Sequence, residues 1–261
     1  MIDTCIVTTV YGERHLNWLG PFIESIHAIP GAPIVYVVHG NRTDVSSYVT
    51  AYHDVRWLEY DEEAAGDERV VKVGRKIRGL RIALNIIRDG TRVVFSDVDT
   101  LWLKHPDAAW AENAGSIQFG YTVKEGRWPI NSGVVFGEVS ERLRWEFKSW
   151  EVETERWMAT PEKIKEATDA AGHPDQMALK KIVAMMPETT GMSAKKLPAV
   201  RWNHDEYPKK GGSLSEIGCL HLQGCLPLLL GERTPDPPPD YEQAFVSWRE
   251  FSFASAERRG A

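Results

Sequence analysis

The sequence predicts one α/β domain in which helices flank a mixed, mostly parallel sheet. Short β-branched runs alternate with longer helical patterns through the first half of the chain, and this order is typical of βαβ units. The chain has 261 residues, of which 43% are hydrophobic and 26% charged, so it can bury one sizeable core. These observations favour a globular domain with a single core.

The elements are predicted from the period of the apolar residues. Strands are expected at four short runs, which are residues 4–10, 33–38, 55–59 and 92–96. Helices are expected at residues 19–27, 75–88, 139–157, 175–185 and 241–253. Gly20-Pro21 is expected to introduce the first helix, and Asp89-Gly90 to end the second. Four prolines within residues 234–240 predict a stiff extended segment before the last helix.

Composition limits the partners and the compartment. A net charge of −6 gives no basic field, so no nucleic-acid partner is expected. The three cysteines, Cys5, Cys219 and Cys225, match neither a disulfide framework nor a zinc site, and we expect ordinary thiols. No apolar run approaches the roughly 20 residues of a membrane helix, and no secretory signal pattern is present. We therefore expect a cytoplasmic protein with no transmembrane segment.

The strongest local pattern is an apolar strand that ends in two carboxylates. Asp97 and Asp99 follow the run Val93-Val94-Phe95. In an open α/β sheet ligands bind beyond the carboxyl ends of the strands, and carboxylate oxygens suit Mg²⁺ or Mn²⁺ bound to a diphosphate. The alternative is a solvated turn in which the two acids only cap the next helix. The position of the pair at the end of a strand favours a metal-diphosphate site.

Four segments occur in a fixed order along the chain, and they are VFSDVDTLWLKHP at residues 94–106, PINSGVVF at 129–136, HPDQMAL at 173–179 and HLQG at 221–224. In this order they resemble the D-x-D segment, the "iNSGv" strand, the "DQ" helix start and the "HxxG" of the GT-A nucleotide-diphospho-sugar transferases, including retaining glycosyltransferase family 8. The resemblance implies a GT-A, Rossmann-like fold and a metal-dependent transfer of a sugar from a nucleotide-diphosphate donor.

The resemblance also implies roles for single residues. Asp97, Asp99 and His221 would hold Mn²⁺ or Mg²⁺, and the donor would be a UDP-sugar. Asn131 and Asp175 would hydrogen-bond hydroxyls of the donor sugar, with a turn amide and a helix cap as the structural alternatives. Gln176 would lie near the anomeric carbon.

The nucleotide is expected to meet residues from the first half of the chain. Lys76 and Arg78 would face the donor phosphates, although basic residues on this helix could equally form a solvated face. Thr8, Thr9 and Tyr11 end the first strand, and by position they would contact the base and ribose.

The chain departs from the retaining relatives after "HxxG". Those relatives have the pattern "HxxGxxKPW", whereas residues 225–229 here read CLPLL. The missing lysine would assist the departing diphosphate, so Lys76, Arg78 or the segment 209–212 would have to supply positive charge.

The reaction outcome and the rival functions follow from these motifs. Retention needs no protein base, whereas inversion would require one, and Asp205 or Glu206 is the candidate.

A haloacid-dehalogenase-like phosphatase also has D-x-D after a strand, but Leu101 stands where it needs threonine. A second rival is a non-catalytic sugar-nucleotide binder. The acceptor is left open among glycan, lipid, protein and small molecule.

Two further expectations concern organisation. Residues 1–105 are expected to form the nucleotide-binding half, residues 106–233 the donor-sugar and acceptor half, and residues 234–261 a proline-rich segment with a C-terminal helix. The ten tryptophans include Trp102, Trp128 and Trp202, which are either sugar-stacking platforms or core residues.

Overall fold

The computed structural model describes residues 3–60, 68–123, 130–204, 216–222 and 239–260. Strands and helices alternate along these residues, as the sequence predicts. The elements are β1 Thr4–Val10, α1 Glu13–His27, β2 Ile34–Gly40, α2 Ser46–Ala51, β3 Arg56–Tyr60, α3 Glu68–Ile86, β4 Arg92–Ser96, β5 Thr100–Trp102, α4 Asp107–Glu112, β6 Phe119–Val123, β7 Ile130–Glu138, α5 Glu141–Met158, α6 Pro161–Ala171, α7 Pro174–Thr189, β8 Ala194–Pro198, α8 Ala199–Trp202, β9 Cys219–His221 and α9 Pro239–Arg258.

The main sheet has the strand order β3-β2-β1-β4-β7-β6-β8. β1 pairs in parallel with both β2 and β4, and β2 pairs in parallel with β3. β7 runs antiparallel to β4 and β6, whereas β6 and β8 are parallel. The predicted mixed, mostly parallel α/β sheet is therefore confirmed.

The sheet separates two buried apolar clusters because successive side chains on a strand point to opposite faces. On β1, Ile6 belongs to one cluster and Val7 to the other. Helices α1 and α9 cover the first face, and α3, α5 and α7 cover the second. The sheet is thus covered by helices on both sides, as expected for parallel strands rich in Val and Ile.

Helix α1 begins earlier than the sequence predicts. It starts at Glu13, so Gly20 and Pro21 lie inside the helix and do not introduce it. The glycine serves helix packing, because a Cβ atom there would lie 2.1 Å from Oγ of Ser255 on α9. A close helix contact therefore explains a residue pair that resembles a helix start.

The structure bears on the predictions made for the tryptophans, the cysteines and membrane-spanning helices. Trp102 and Trp202 are 1% and 0% exposed, so they are core residues and not sugar-stacking platforms. Cys5 and Cys219 are free, buried thiols. Among the described helices, none is long and apolar enough to cross a membrane.

Some predicted features lie outside the described residues. These are Trp128, Asp205, Glu206, the segment 209–212, the positions 225–229 and most of the proline-rich segment.

Candidate active site

The acidic pair lies at the carboxyl end of the parallel strands. β1 and β4 are hydrogen-bonded in parallel, so their last residues share one edge of the sheet, and Asp97 directly follows β4. The backbone N–H of Asp97 donates to the carbonyl of Gly133 at 2.8 Å, which ties the acidic turn to β7. The hydroxyl of Thr100 donates to the Asp97 carbonyl at 2.8 Å and closes the turn. The two carboxylates therefore leave a rigid turn at the edge of the sheet.

A second, two-stranded sheet brings a histidine from late in the sequence to this turn. β5 and β9 pair antiparallel, with Thr100 opposite His221. The N–H of Leu222 donates to the carbonyl of Asp99 at 2.8 Å and extends the pairing by one residue. This pairing joins residues separated by more than a hundred positions, and it places the imidazole beside Asp99.

The carboxylates and the imidazole form a compact set of metal-ligating atoms. Nε2 of His221 lies 3.2 Å from Oδ1 of Asp99 and 3.9 Å from Oδ2 of Asp97. One ligand atom from each residue falls within 4.8 Å of the other two. Two oxygen donors and one imidazole nitrogen suit Mn²⁺ or Mg²⁺ with phosphate oxygens completing the shell.

Lys76 on α3 connects the acidic turn with the start of α7. Its Nζ lies 2.6 Å from Oδ1 of Asp97 and 3.8 Å from Oδ2 of Asp175. The same Nζ donates to the Ser132 carbonyl at 3.0 Å. Burial lowers the pKa of Lys76, but the charges of Asp97 and Asp175 outweigh it and raise the pKa overall, so the ammonium stays charged.

The pKa values of the two carboxylates in the turn are shifted in opposite directions. Burial raises the pKa of Asp97, the nearby Asp99 charge adds to this, and Lys76 only partly offsets it. Burial also raises the pKa of Asp99, but His221 and more weakly His15 outweigh it, so the pKa is lowered. A bound cation would relieve the repulsion between the two neighbouring carboxylates.

Asn131 lies near the start of β7 and Asp175 near the start of α7, and both are 4% exposed. Oδ1 of Asn131 accepts from the N–H of Gly133 at 2.7 Å, so the amide is tied to the backbone of its own strand, β7. Oδ2 of Asp175 accepts from the Ser132 hydroxyl at 2.5 Å. His173, not Asp175, is the N-cap of α7.

Gln176 ties the start of α7 to its surroundings. With the amide nitrogen turned toward them, it donates to the carbonyls of Ala171 at 2.7 Å and Ile130 at 2.8 Å. The amide orientation follows from these two acceptors, and it leaves Oε1 as the atom that could face a ligand.

Arg78 has acidic partners on α5. Its Nε donates to Oε1 of Glu151 at 2.9 Å, and its guanidinium lies 3.6 Å from Glu155. The structure thus places Lys76, and not Arg78, in contact with Asp97. The sequence-based prediction that Arg78 contacts a donor phosphate is not tested by these contacts, but the two acidic partners of Arg78 favour Lys76 for that role.

The residues that end β1 are buried. Thr8, Thr9 and Tyr11 are 0%, 7% and 2% exposed. The hydroxyl of Tyr11 donates to the carbonyl of Arg75 on α3. Within the described part of the chain, Oγ1 of Thr8 has no hydrogen-bond partner. Their contact with the base and ribose stays a prediction.

Three residues at the site were not predicted from the sequence. Ser132 contacts both Lys76 and Asp175, and its place in the "NSG" motif could have identified it. Asn203 contacts His221 at 2.8 Å, but no sequence pattern connects them. His15 accepts from the N–H of Tyr11 at 3.1 Å, and its proximity to Asp99 depends on how α1 packs.

Comparisons with known proteins identify the family of this chain. The family model of nucleotide-diphospho-sugar transferases matches residues 50–225, which is more than half of the chain. No curated protein matches the sequence significantly.

Solved structures share the fold at low sequence identity. A galactosyltransferase, LgtC, in complex with donor and acceptor sugar analogs superposes with a TM-score of 0.58 at 12% identity, covering 96% of this chain and 95% of that one. The glycosyltransferase GlyE of Streptococcus pneumoniae TIGR4 gives 0.56 at 11%, covering 100% and 63%. A glycosyltransferase involved in glycosylation of the major capsid of PBCV-1 gives 0.52 at 12%, covering 85% and 95%.

The family match and the shared fold decide between the functions that the sequence left open. A haloacid-dehalogenase-like phosphatase is excluded, since the family model covers the acidic pair, the "NSG" strand and the late histidine together. The chain belongs to the nucleotide-diphospho-sugar transferase family, and it is a glycosyltransferase with the GT-A fold.

Proposed function

We propose that this glycosyltransferase depends on Mn²⁺ or Mg²⁺, bound by Asp97, Asp99 and His221, and that its donor is a UDP-sugar. The observation that carries the proposal is the charge at the site. Among the described residues, the carboxylates of Asp97, Asp99 and Asp175 lie around the ammonium of Lys76. Once His221 is neutral, as a metal ligand must be, three negative charges and one positive charge leave these groups with two negative charges. A divalent cation matches that charge and the oxygen-rich donor set.

Charge stabilisation of the leaving diphosphate would come from two sources. A bound cation supplies positive charge to the departing phosphates, which is typically worth several kcal/mol. Lys76 supplies a second positive charge that is already held 2.6 Å from Asp97. Because the charge is buried and oriented before the donor binds, little reorganisation is needed in the transition state. Lys76 thereby replaces the lysine of the "HxxGxxKPW" pattern, which residues 225–229 lack.

The donor sugar would be held by Asp175, Asn131 and Gln176. Asp175 accepts hydrogen bonds from sugar hydroxyls, and its carboxylate is kept in place by Ser132 at 2.5 Å. Asn131 uses Oδ1 for the Gly133 N–H, so its Nδ2 is the donor it offers to a hydroxyl. Gln176 would place Oε1 near the anomeric carbon. Thr8, Thr9 and Tyr11, at the end of β1, would border the base and ribose.

We propose transfer with retention, as in the relatives that the four motifs resemble. The acceptor oxygen bonds to the anomeric carbon on the face from which the diphosphate departs, and a diphosphate oxygen takes the acceptor proton. No protein base is required in this step. The acceptor is a hydroxyl of unspecified identity. The same proposal assigns nucleotide binding to residues 1–105, the donor sugar and acceptor to residues 106–233, and a proline-rich segment with a C-terminal helix to residues 234–261.

A donor screen tests the proposal. The protein is incubated with a panel of UDP- and GDP-sugars, with Mn²⁺ or with EDTA, and release of nucleoside diphosphate is measured. We expect release only from one or a few UDP-sugars and only with the metal. Proton NMR of the first-formed sugar then gives the anomer, which should be that of the donor. Metal-independent release, a preference for GDP-sugars, or an inverted anomer would each contradict the corresponding part of the proposal.

A further inference from the structure

A chain of neutral hydrogen bonds runs from the His221 ring to the backbone of β7. Nδ1 of His221 lies 2.8 Å from Oδ1 of Asn203. Nδ2 of Asn203 donates to Oγ1 of Thr122 at 2.9 Å, and the Thr122 hydroxyl donates to the Asn131 carbonyl at 3.2 Å. Asn203 and Thr122 are both fully buried, and His221 is 5% exposed. Bulk water therefore does not compete for these partners.

The direction of this chain follows from its last member. A backbone carbonyl only accepts, so the Thr122 hydroxyl gives its proton to Asn131, with the Val134 carbonyl as a second acceptor at 3.5 Å. The lone pair of Oγ1 then accepts from Asn203, which must turn its Nδ2 toward Thr122. Consequently, Oδ1 of Asn203 faces His221, and an amide oxygen requires a proton on Nδ1.

We propose that Asn203 is a positioning residue that fixes the Nδ1–H form of His221 and so turns the lone pair of Nε2 toward Asp97 and Asp99. This inference rests on the proposed metal site, and it assigns to Asn203 a role in building that site. Metal-bound histidines generally need a partner at the other ring nitrogen, and this partner fixes both the tautomer and the orientation of the ring. Here an uncharged amide takes that role, so the ring is oriented without a further buried carboxylate.

The arrangement of secondary structure explains why Asn203 can reach the ring. Asn203 follows α8, and its N–H donates to the Ala199 carbonyl at 2.9 Å. The next residue, His204, lies in a parallel bridge with Leu220, and the His221 N–H donates to the His204 carbonyl at 3.0 Å. Asn203 is thus fixed by backbone contacts on both sides. A rigid support of this kind is what a ligand side chain needs to hold its geometry.

The first readout is the tautomer of His221. Protein labelled with ¹⁵N-histidine is bound to UDP and Mg²⁺, which is diamagnetic, and two-bond ¹H–¹⁵N correlations show which nitrogen carries the proton. His221 is assigned by comparison with His221→Gln. We expect the proton on Nδ1 in the wild type and in Asn203→Asp, which keeps the acceptor oxygen. Asn203→Leu should release the ring from Mg²⁺ in part of the molecules, and those molecules can carry the proton on Nε2, so its spectrum should contain both forms.

The second readout is the affinity for Mn²⁺, measured by electron paramagnetic resonance with saturating UDP. Asn203→Leu should weaken Mn²⁺ binding by about 10–100-fold, the usual cost of losing an outer partner of a metal ligand. Asn203→Asp should stay within about threefold of the wild type, because the acceptor remains. Far-UV circular dichroism and thermal melting verify that each variant is folded.

The outcomes separate positioning from a purely structural role. Wild-type affinity in Asn203→Leu, or equal losses in Asn203→Leu and Asn203→Asp, would overturn the inference. A proton on Nε2 in the wild type would overturn it as well, and this spectrum decides the matter if Asn203→Leu does not fold. If the wild type binds no Mn²⁺, the proposed function fails. The ring is then read in the metal-free wild type, where the proposal requires a proton on Nδ1 whether or not Nε2 also shares a proton with Asp99, and an unprotonated Nδ1 would overturn the role of Asn203.

Discussion

Gly133 lies directly against the imidazole of His221. A Cβ atom on Gly133 would be 2.7 Å from Cε1 of the ring and 2.9 Å from its Nδ1. It would also be 2.9 Å from Oδ1 of Asn131. The glycine of the "NSG" motif is therefore required by the space that His221 occupies, and not by an unusual backbone angle, since Gly133 is not among the residues with positive φ.

The first prediction concerns this contact. Gly133→Ala should displace the His221 ring and weaken Mn²⁺ binding in the presence of UDP by about tenfold or more. Gly137→Ala on the same strand is the matched control, because its Cβ would instead press on Leu143 in the core, at 2.9 Å. The control should lower the melting temperature but keep the Mn²⁺ affinity. Equal affinities in the wild type and Gly133→Ala would show that the ring moves without consequence.

A second prediction separates the two basic candidates on α3. Lys76→Met removes the ammonium beside Asp97, and we expect sugar transfer to fall by about 100-fold, as for loss of one group that stabilises transition-state charge. Arg78→Gln removes the ion pair with Glu151 and should lower the melting temperature while transfer stays near wild type. Steady-state rates with a UDP-sugar measure both effects. A loss in Arg78→Gln as large as that in Lys76→Met would place Arg78 at the donor phosphates.

The third prediction concerns donor-sugar recognition by Asp175. Asp175→Ala removes an acceptor of sugar hydroxyls, and turnover should fall by about 100-fold or more. The affinity for free UDP should change little, because UDP carries no sugar at that position. Asp169→Ala on the exposed face of α6 serves as the control and should leave turnover unchanged. Isothermal titration with UDP and with UDP-sugar separates the two effects, and a parallel loss of both affinities would contradict the role.

Predicting the fold from the sequence worked best where the signal is local. β1 and β4 have the predicted ends because a short run of mostly β-branched and apolar residues defines a buried strand. β5 and β9 have three residues each, and their pairing spans more than a hundred positions, so no local period reveals them. The Gly20-Pro21 pair suggested a helix start, but Gly20 is needed because Ser255 of another helix packs against it.

The sequence predicted which candidate ligands lie together, but it did not predict the residues that support them. The acidic pair and His221 belong to motifs with fixed order, and the structure brings them within 4.8 Å. The choice between Lys76 and Arg78 depends on how α3 is rotated about its axis, which a basic cluster leaves open. Asn203 depends on a tertiary hydrogen bond, so its neighbourhood in the sequence contains no sign of it.

The fourth prediction is a pH dependence of stability at Glu146 on α5. Burial raises the pKa of Glu146 above its usual 4.5, and hydrogen bonds from Thr190 and Thr189 offset this only in part. The folded protein thus favours the protonated acid. This stabilisation is complete below the unfolded pKa and is lost as pH rises through the folded pKa.

Glu146→Gln mimics the protonated acid and should raise the melting temperature at pH 7. The difference from the wild type should shrink as the pH falls toward 4.5. Glu141→Gln, an exposed change in the same helix, should have no such effect. Thermal melts from pH 4 to pH 8 provide the test, and a destabilised Glu146→Gln at pH 7 would show that the carboxylate is stabilised when charged.

The fifth prediction is the most direct test of the metal site. The rate of UDP-sugar hydrolysis is measured from EDTA to saturating Mn²⁺ in the wild type, Asp97→Asn and Asp99→Asn. The wild type should be inactive in EDTA and rise to a plateau with Mn²⁺, whereas both variants should stay near background with an unchanged circular dichroism spectrum. Full wild-type activity in EDTA, or variants with the wild-type response to Mn²⁺, would contradict binding of the cation by Asp97 and Asp99.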